Sequence, residues 1–87
     1  MNKVFTKNGR DDYIYWQTED RKTLRKINQL IDDIARNGNE GIGKPEGLSG
    51  DLDGFWSRRI NDKDRLIYKI DYENIYILAC RYHYADK

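Results

Sequence analysis

Four side chains of this 87-residue sequence could do chemistry together: Glu46, Arg59, Arg65 and His83, the single histidine. A carboxylate, an imidazole and one or two guanidiniums are the parts needed to cleave RNA without a metal. A base takes the proton from a ribose 2′-OH, that oxygen attacks the adjacent phosphorus, and an acid protonates the departing 5′-oxygen. Arginines offset the charge that develops on the phosphoryl oxygens. Ordinary glutamate and histidine side chains, with pKa values of about 4.3 and about 6.5, are suitable starting points for the base and the acid. The same residues equally suit a solvated loop acid, a wet sheet face and a surface histidine near a chain end. Residue types and spacing leave both readings open.

Other chemistries are poorly served. One histidine and one cysteine cannot build a zinc site of familiar spacing, so neither a metal nor another cofactor is expected. Gly41-Ile42-Gly43-Lys44-Pro45 lacks the pattern of a phosphate-binding loop. No serine stands in a nucleophile elbow. Cys80 closes the apolar run Ile75-Tyr76-Ile77-Leu78-Ala79-Cys80, where burial disfavours the thiolate, and it is expected to be a buried, reduced thiol. No apolar run approaches the ~20 residues of a membrane span, and the N-terminus lacks an apolar signal core. A cytoplasmic protein with no membrane partner is expected. The net charge of +1 does not announce a nucleic-acid binder. However, Arg58, Arg59, Lys63, Arg65 and Lys69 crowd one segment, with Asp62 and Asp64 in a turn, and a local basic face can exist on a near-neutral protein.

The elements that must position these groups follow from periodicity. The length suits a single domain, residues 1–87, with one small core. Val4 and Phe5 fit a short strand. Thr6 can cap a helix through Asp11, Asp12, Tyr13 and Trp16, with Gly9 as a weak point. Thr18 or Asp20 can cap a second helix, in which Leu24, Ile27, Leu30, Ile31 and Ile34 recur at helical spacing before an Asn37-Gly38 stop. Residues 38–54 form a glycine-rich connection holding the only proline, Pro45; loops of this length are usually functional or disordered. Period-two patterns predict strands at 55–60, 65–70 and about 74–82. The expected fold is α+β: an N-terminal strand and a helical hairpin packed on one face of a mainly antiparallel twisted sheet. Glu46 then lies on the loop leading into the sheet and Arg59 and Arg65 border one cleft. His83 follows the last strand, whose pairing would hold Arg81 and Tyr82.

Three blocks, "GIGKPEGL", "GFWSRRINDKDRLIYKI" and "ACRYHY", resemble in order and spacing those of the YoeB (Txe) toxins, a branch of the RelE superfamily of bacterial toxin–antitoxin systems. The segment "DDYIYWQTEDRKTLRKINQLI" is similar to that family's helical hairpin, so the resemblance covers nearly the whole chain. It implies a compact fold like that of microbial ribonucleases. It also implies an endoribonuclease that cleaves mRNA in the ribosomal A site, beside 16S rRNA, and stops translation. The implied partners are the ribosome and mRNA, a YefM-like antitoxin that wraps the toxin, operator DNA read through that antitoxin, and a second copy in a homodimer. Carried over by position, Glu46 matches the general base, His83 the general acid and Arg65 the arginine on the reacting phosphate. Arg59 matches a second basic residue near the substrate, and Tyr84 the tyrosine that helps place it.

Two departures stand out. Ser49 and Gly50, followed by Asp51 and Asp53, stand where relatives often carry a basic residue. Ala85-Asp86-Lys87 extends past the tyrosine at which many relatives stop, and Asp86 is expected to favour protonated His83. The near-neutral charge suits an enzyme for which the ribosome supplies much of the binding and positioning. The alternatives are a weak or inactive module that acts with an antitoxin as a co-repressor, and a nuclease acting on free RNA.

Overall fold

Two side-chain caps start the two helices. The Thr6 hydroxyl accepts the Gly9 N–H at 3.0 Å, and Asp20, rather than Thr18, accepts the N–H groups of Lys22 and Thr23. In the computed structural model, which describes residues 1–82, these helices are α1 (Lys7–Glu19) and α2 (Arg21–Asn37). The strands are β1 (Asn2–Phe5), β2 (Glu46–Gly47), β3 (Trp56–Arg59), β4 (Arg65–Ile70) and β5 (Asn74–Ala79), with a 3-10 turn at Gly50–Leu52. They form one sheet in the order β1-β5-β4-β3-β2. β1 runs parallel to β5 and the other neighbours are antiparallel. The expected α+β class holds, on a mixed sheet. Among the described residues no helix is long and apolar enough to cross a membrane.

The apolar stripe of α2 packs as its spacing predicts. Ile27, Leu30, Ile31 and Ile34 are buried against Leu66, Tyr68, Ile75 and Ile77 of the sheet, with Trp16 of α1 closing the layer. Burying one such side chain fully is worth about 1.5–3 kcal/mol, so this stripe orders the helix against the sheet. Gly9 corrects the sequence reading. It is not a weak point in α1: a Cβ there would lie 2.3 Å from the Ile77 carbonyl oxygen, so glycine lets the helix approach β5. Cys80 is buried, as expected.

The glycine-rich connection is ordered by long-range contacts that sequence pattern does not encode. It contributes β2, a strand the alternation pattern did not predict, at the sheet edge. Arg58, expected on a basic face, is instead fully buried on the helix side. Its guanidinium donates to Asp33 at 2.5 Å, to the carbonyls of Gly38, Glu40 and Ile42, and to the Tyr68 hydroxyl. Arg58 thus ties the end of α2 and the start of the connection to the sheet. Gly38 ends α2 in the left-handed region (φ 64°), as its position after Asn37 predicts.

The last strand also departs from simple alternation. Ile67 pairs with Ala79 but Tyr68 pairs with Ile77, so Leu78 is an extra residue, a β-bulge. The bulge switches the phase of β5. Ile75 and Ile77 join the helix-side core, whereas Ala79 joins a second cluster with Leu48 and Ile67. The Leu78 carbonyl is taken up by the Thr6 hydroxyl and the Asn8 amide. Bulges re-aim side chains in this way, and here the re-aimed segment is the one that leads to His83.

Candidate functional site

Register places the candidate side chains. Glu46 pairs with Ser57, Ser57 with Ile67, and Arg59 with Arg65. Directly paired residues share a sheet face, so Glu46, Arg59 and Arg65 all lie on the face away from the helices. β3 stands between Glu46 and Arg65, and the two are offset by two residues along it, which sets their backbones roughly 12 Å apart. That gap leaves room for a phosphodiester between long side chains. Glu46 is exposed and is anchored by its neighbour. Leu48 is buried with Ile67 and Ala79 under Leu52 and Phe55, and its N–H donates to the Phe55 carbonyl at 2.9 Å. The connection thereby folds back over the outer face and fixes β2 at its edge.

The two arginines are held differently. Arg65 donates from one terminal nitrogen to the carbonyls of Asn61 (2.7 Å) and Asp64 (3.1 Å). Among the described residues its other guanidinium nitrogens have no hydrogen-bond partner. A guanidinium has five donors in a rigid fork, so the pinned edge orients the open one. Arg59 pairs with Asp62 at 3.0 Å, with the arginine side chain 39% exposed and the aspartate fully so. Such a surface pair is worth about 0–1 kcal/mol, so a phosphate oxygen can replace Asp62 at little cost. Beside Arg59 an open groove of about 410 Å³ is lined by Lys26, Gly43, Lys44, Asn61 and Asp62 as well. A cleft of similar size at Phe5, Arg10, Tyr13, Ile14 and Gln17 contains none of the candidate residues.

The approach to the tail is not the continuous strand that the sequence suggests. β5 ends at Ala79, and side chains then hold the chain. Asp12 accepts the Cys80 N–H at 3.0 Å and the Trp16 indole donates to the Cys80 carbonyl at 2.7 Å. Arg81 stacks on Tyr15, 3.5 Å from its ring centroid. Tyr82 donates its N–H to Asp64 Oδ1 at 2.6 Å and accepts the Arg65 N–H at 3.0 Å. His83, Tyr84 and Asp86 lie outside the described residues.

Sequence reasoning missed two residues here. Arg58 belongs by sequence to the basic segment, although strand alternation from Arg59 turns it to the opposite side. Asp64 was read as a turn residue. It is 5% exposed, and no spacing in the sequence signals that its carboxylate reaches a backbone group 18 positions away. Asp33 has its carboxyl pKa lowered from 3.8, first by the Arg58 hydrogen bond. Burial pushes the Tyr68 hydroxyl up, against an opposing effect of the same arginine. Both shifts belong to the helix side of the sheet. Among the described residues no group of three His, Cys, Asp or Glu side chains could hold a metal ion.

Residues 5–84 match the model of the family described as YoeB-like toxin of bacterial type II toxin–antitoxin system. The chain is 51% identical to Toxin YoeB of Streptomyces coelicolor over 84 residues, covering 97% of this chain and all of that one. It superposes on the YoeB dimer from Staphylococcus aureus with a TM-score of 0.91 and 48% identity, covering 97% and 98% of the two chains. It superposes on the toxin of the heterotetrameric YoeB–YefM complex from the same organism with a TM-score of 0.90, again at 48% identity and with 97% and 98% covered.

Proposed function

Because the chain belongs to the YoeB-like toxin family of bacterial type II toxin–antitoxin systems, we propose that it is a ribosome-dependent endoribonuclease that cleaves mRNA in the A site. Glu46 takes the ribose 2′-OH proton, and the 2′-oxygen forms a bond to phosphorus. The bond from phosphorus to the 5′-oxygen breaks, and His83 gives that oxygen a proton. The ends are a 2′,3′-cyclic phosphate and a 5′-hydroxyl. Arg65, with Arg59, offsets charge on the phosphoryl oxygens, and Tyr84 helps place the substrate. The observation that carries this reading is the register that sets Glu46, Arg59 and Arg65 on one sheet face. The hairpin between the two arginines also holds Tyr82, the residue before His83.

The protein works in the cytoplasm against ribosomes, contacting mRNA and 16S rRNA. A YefM-like antitoxin restrains it and reads operator DNA on its behalf, and a homodimer is its free form. A YoeB–YefM complex and a YoeB dimer of the Staphylococcus aureus relative support the antitoxin and the second copy among these partners. A net charge of +1 is small for a protein gripping free RNA, whose affinity rests on phosphate neutralisation. It fits a ribosome that brings the message into place.

A cell-free translation reaction with a reporter message tests the reading. Wild-type protein is expected to cut the message at A-site positions at substoichiometric amounts, and Glu46→Ala and His83→Ala are expected to abolish cutting. Unchanged cutting by both variants would refute the assigned roles. Absence of cutting by the wild type would favour the co-repressor module. Equal cutting of naked RNA would remove the ribosome requirement.

A further inference from the structure

Two non-glycine residues among those described have left-handed backbone, Lys44 (φ 50°) and Tyr82 (φ 66°). Lys44 stands two residues before Glu46, and Tyr82 one residue before His83. A residue with a Cβ resists this conformation, which persists only where its surroundings over-determine it. The β3–β4 hairpin supplies both restraints. The Arg59 N–H donates to the Gly43 carbonyl at 2.7 Å, beside Lys44. At the other strand, Tyr82 is gripped on both sides, its N–H by the Asp64 carboxylate and its carbonyl by the Arg65 N–H.

The carboxylate of Asp64 is not needed to close its own turn. There the N–H groups of Ile60 and Asn61 go to the Asp64 carbonyl, and the Asn61 side chain accepts the N–H groups of Lys63 and Asp64. Asn61 Nδ2 donates to Asp64 Oδ2 at 3.1 Å, which orients the carboxylate and leaves Oδ1 for Tyr82. Burying a carboxylate is costly unless it is well satisfied. Here the burial ties the turn to the segment that carries the proposed acid. The restraint is also shared with the phosphate-binding group, because Arg65 is the next residue and its own guanidinium donates to the Asp64 carbonyl.

We propose that Asp64 is a positioning residue for the general acid: through the Tyr82 N–H it fixes the left-handed backbone of the residue before His83 to the hairpin that carries Arg65. This inference rests on the reading of His83 as the acid. Without the Asp64 acceptor, Tyr82 relaxes toward ordinary backbone angles and the acid is delivered in many orientations. The chemical step slows, whereas binding of the message, governed by other groups, does not.

The test compares wild type, Asp64→Ala and Asp64→Asn in the ribosome-dependent cleavage assay, with thermal unfolding as a check on folding. Asp64→Ala is expected to lower kcat about 10- to 100-fold, the scale on which misplacement of a catalytic group by about 1 Å acts, with KM within about two-fold. Asp64→Asn keeps an oxygen acceptor and is expected to recover most of the rate. His83 is the only histidine, so its ring proton signal is unambiguous by NMR. That signal is expected to move toward the value of a free histidine peptide in Asp64→Ala and to stay near wild type in Asp64→Asn. Asp64→Glu, which keeps the charge but shifts the oxygen by one methylene, is the second variant should the alanine form not fold; it should lower kcat several-fold at unchanged KM. Wild-type kcat, or an unmoved His83 signal, in a folded Asp64→Ala or Asp64→Glu would overturn the proposal. Full activity of His83→Ala would instead overturn the reading beneath it.

Discussion

Arg58 and Arg59 are neighbours in the chain, yet one donates five hydrogen bonds inside the protein and the other holds a single exposed aspartate across 3.0 Å. A strand turns successive side chains to opposite faces, and the two faces of this sheet do different work. The helix side is closed, and a guanidinium there must find acceptors for its donors. It finds them in Asp33 and the carbonyls at the end of α2, so the charge becomes a structural rivet. The outer side is open between the small Leu48 cluster and the hairpin turn. Guanidiniums there keep donors available for a ligand. The same residue type therefore serves stability on one side and, in the proposed function, substrate binding on the other.

The largest expected effect is on the closed side. Arg58→Met removes the rivet, leaving three carbonyls without their guanidinium donor and Asp33 without its counter-charge, at a cost of about 3–5 kcal/mol. That is a large share of the roughly 5–15 kcal/mol available to a small domain. Urea unfolding of the variant measures it, and a loss under about 1 kcal/mol would erase the contrast. On the open side, Arg65→Ala is expected to slow cleavage by about 10²–10³, the scale of removing one oxyanion donor. Its unfolding midpoint should stay close to wild type.

Asp33→Asn separates charge from hydrogen bonding on the closed side. The folded state holds this carboxyl below its ordinary pKa of 3.8. Its stabilising contribution is therefore complete above that value and fades as pH falls through the lower folded pKa. The variant should be less stable than wild type at neutral pH, and the gap should narrow below pH 3.8, as followed by unfolding at a series of pH values. A gap of constant size would assign the effect to packing instead. The smallest change in stability is expected from Arg59→Ala, within about 0.5 kcal/mol as for most surface sites. Its cleavage rate should fall by less than that of Arg65→Ala, since Arg59 is the less firmly oriented of the two.

Much of the architecture is readable from the sequence, where the signal is local. The stripe from Leu24 to Ile34 and the caps at Thr6 and Asp20 depend on residues within a turn or two of each other. The candidate residues on the sheet are readable from type and from resemblance together. Three features were hidden. β2 is two residues long and exists because β3 offers it a partner. The Leu78 bulge lies where α1, with glycine at position 9, sets its N-terminal turn against Ile77 and Leu78. Asp64 looks like any turn aspartate until Tyr82 arrives beside it.

Local periodicity and residue chemistry were thus enough to specify the α+β class, both helices, four of the five strands in outline and a set of groups fit for acid–base chemistry on RNA. Which face each arginine serves, how the glycine-rich connection is held and how the chain is guided past Ala79 were settled by packing. Those outcomes depend on hydrogen bonds and contacts between residues as far apart as 16, 25 and 68 positions. Partners at that separation meet only once the sheet and its helical layer have formed.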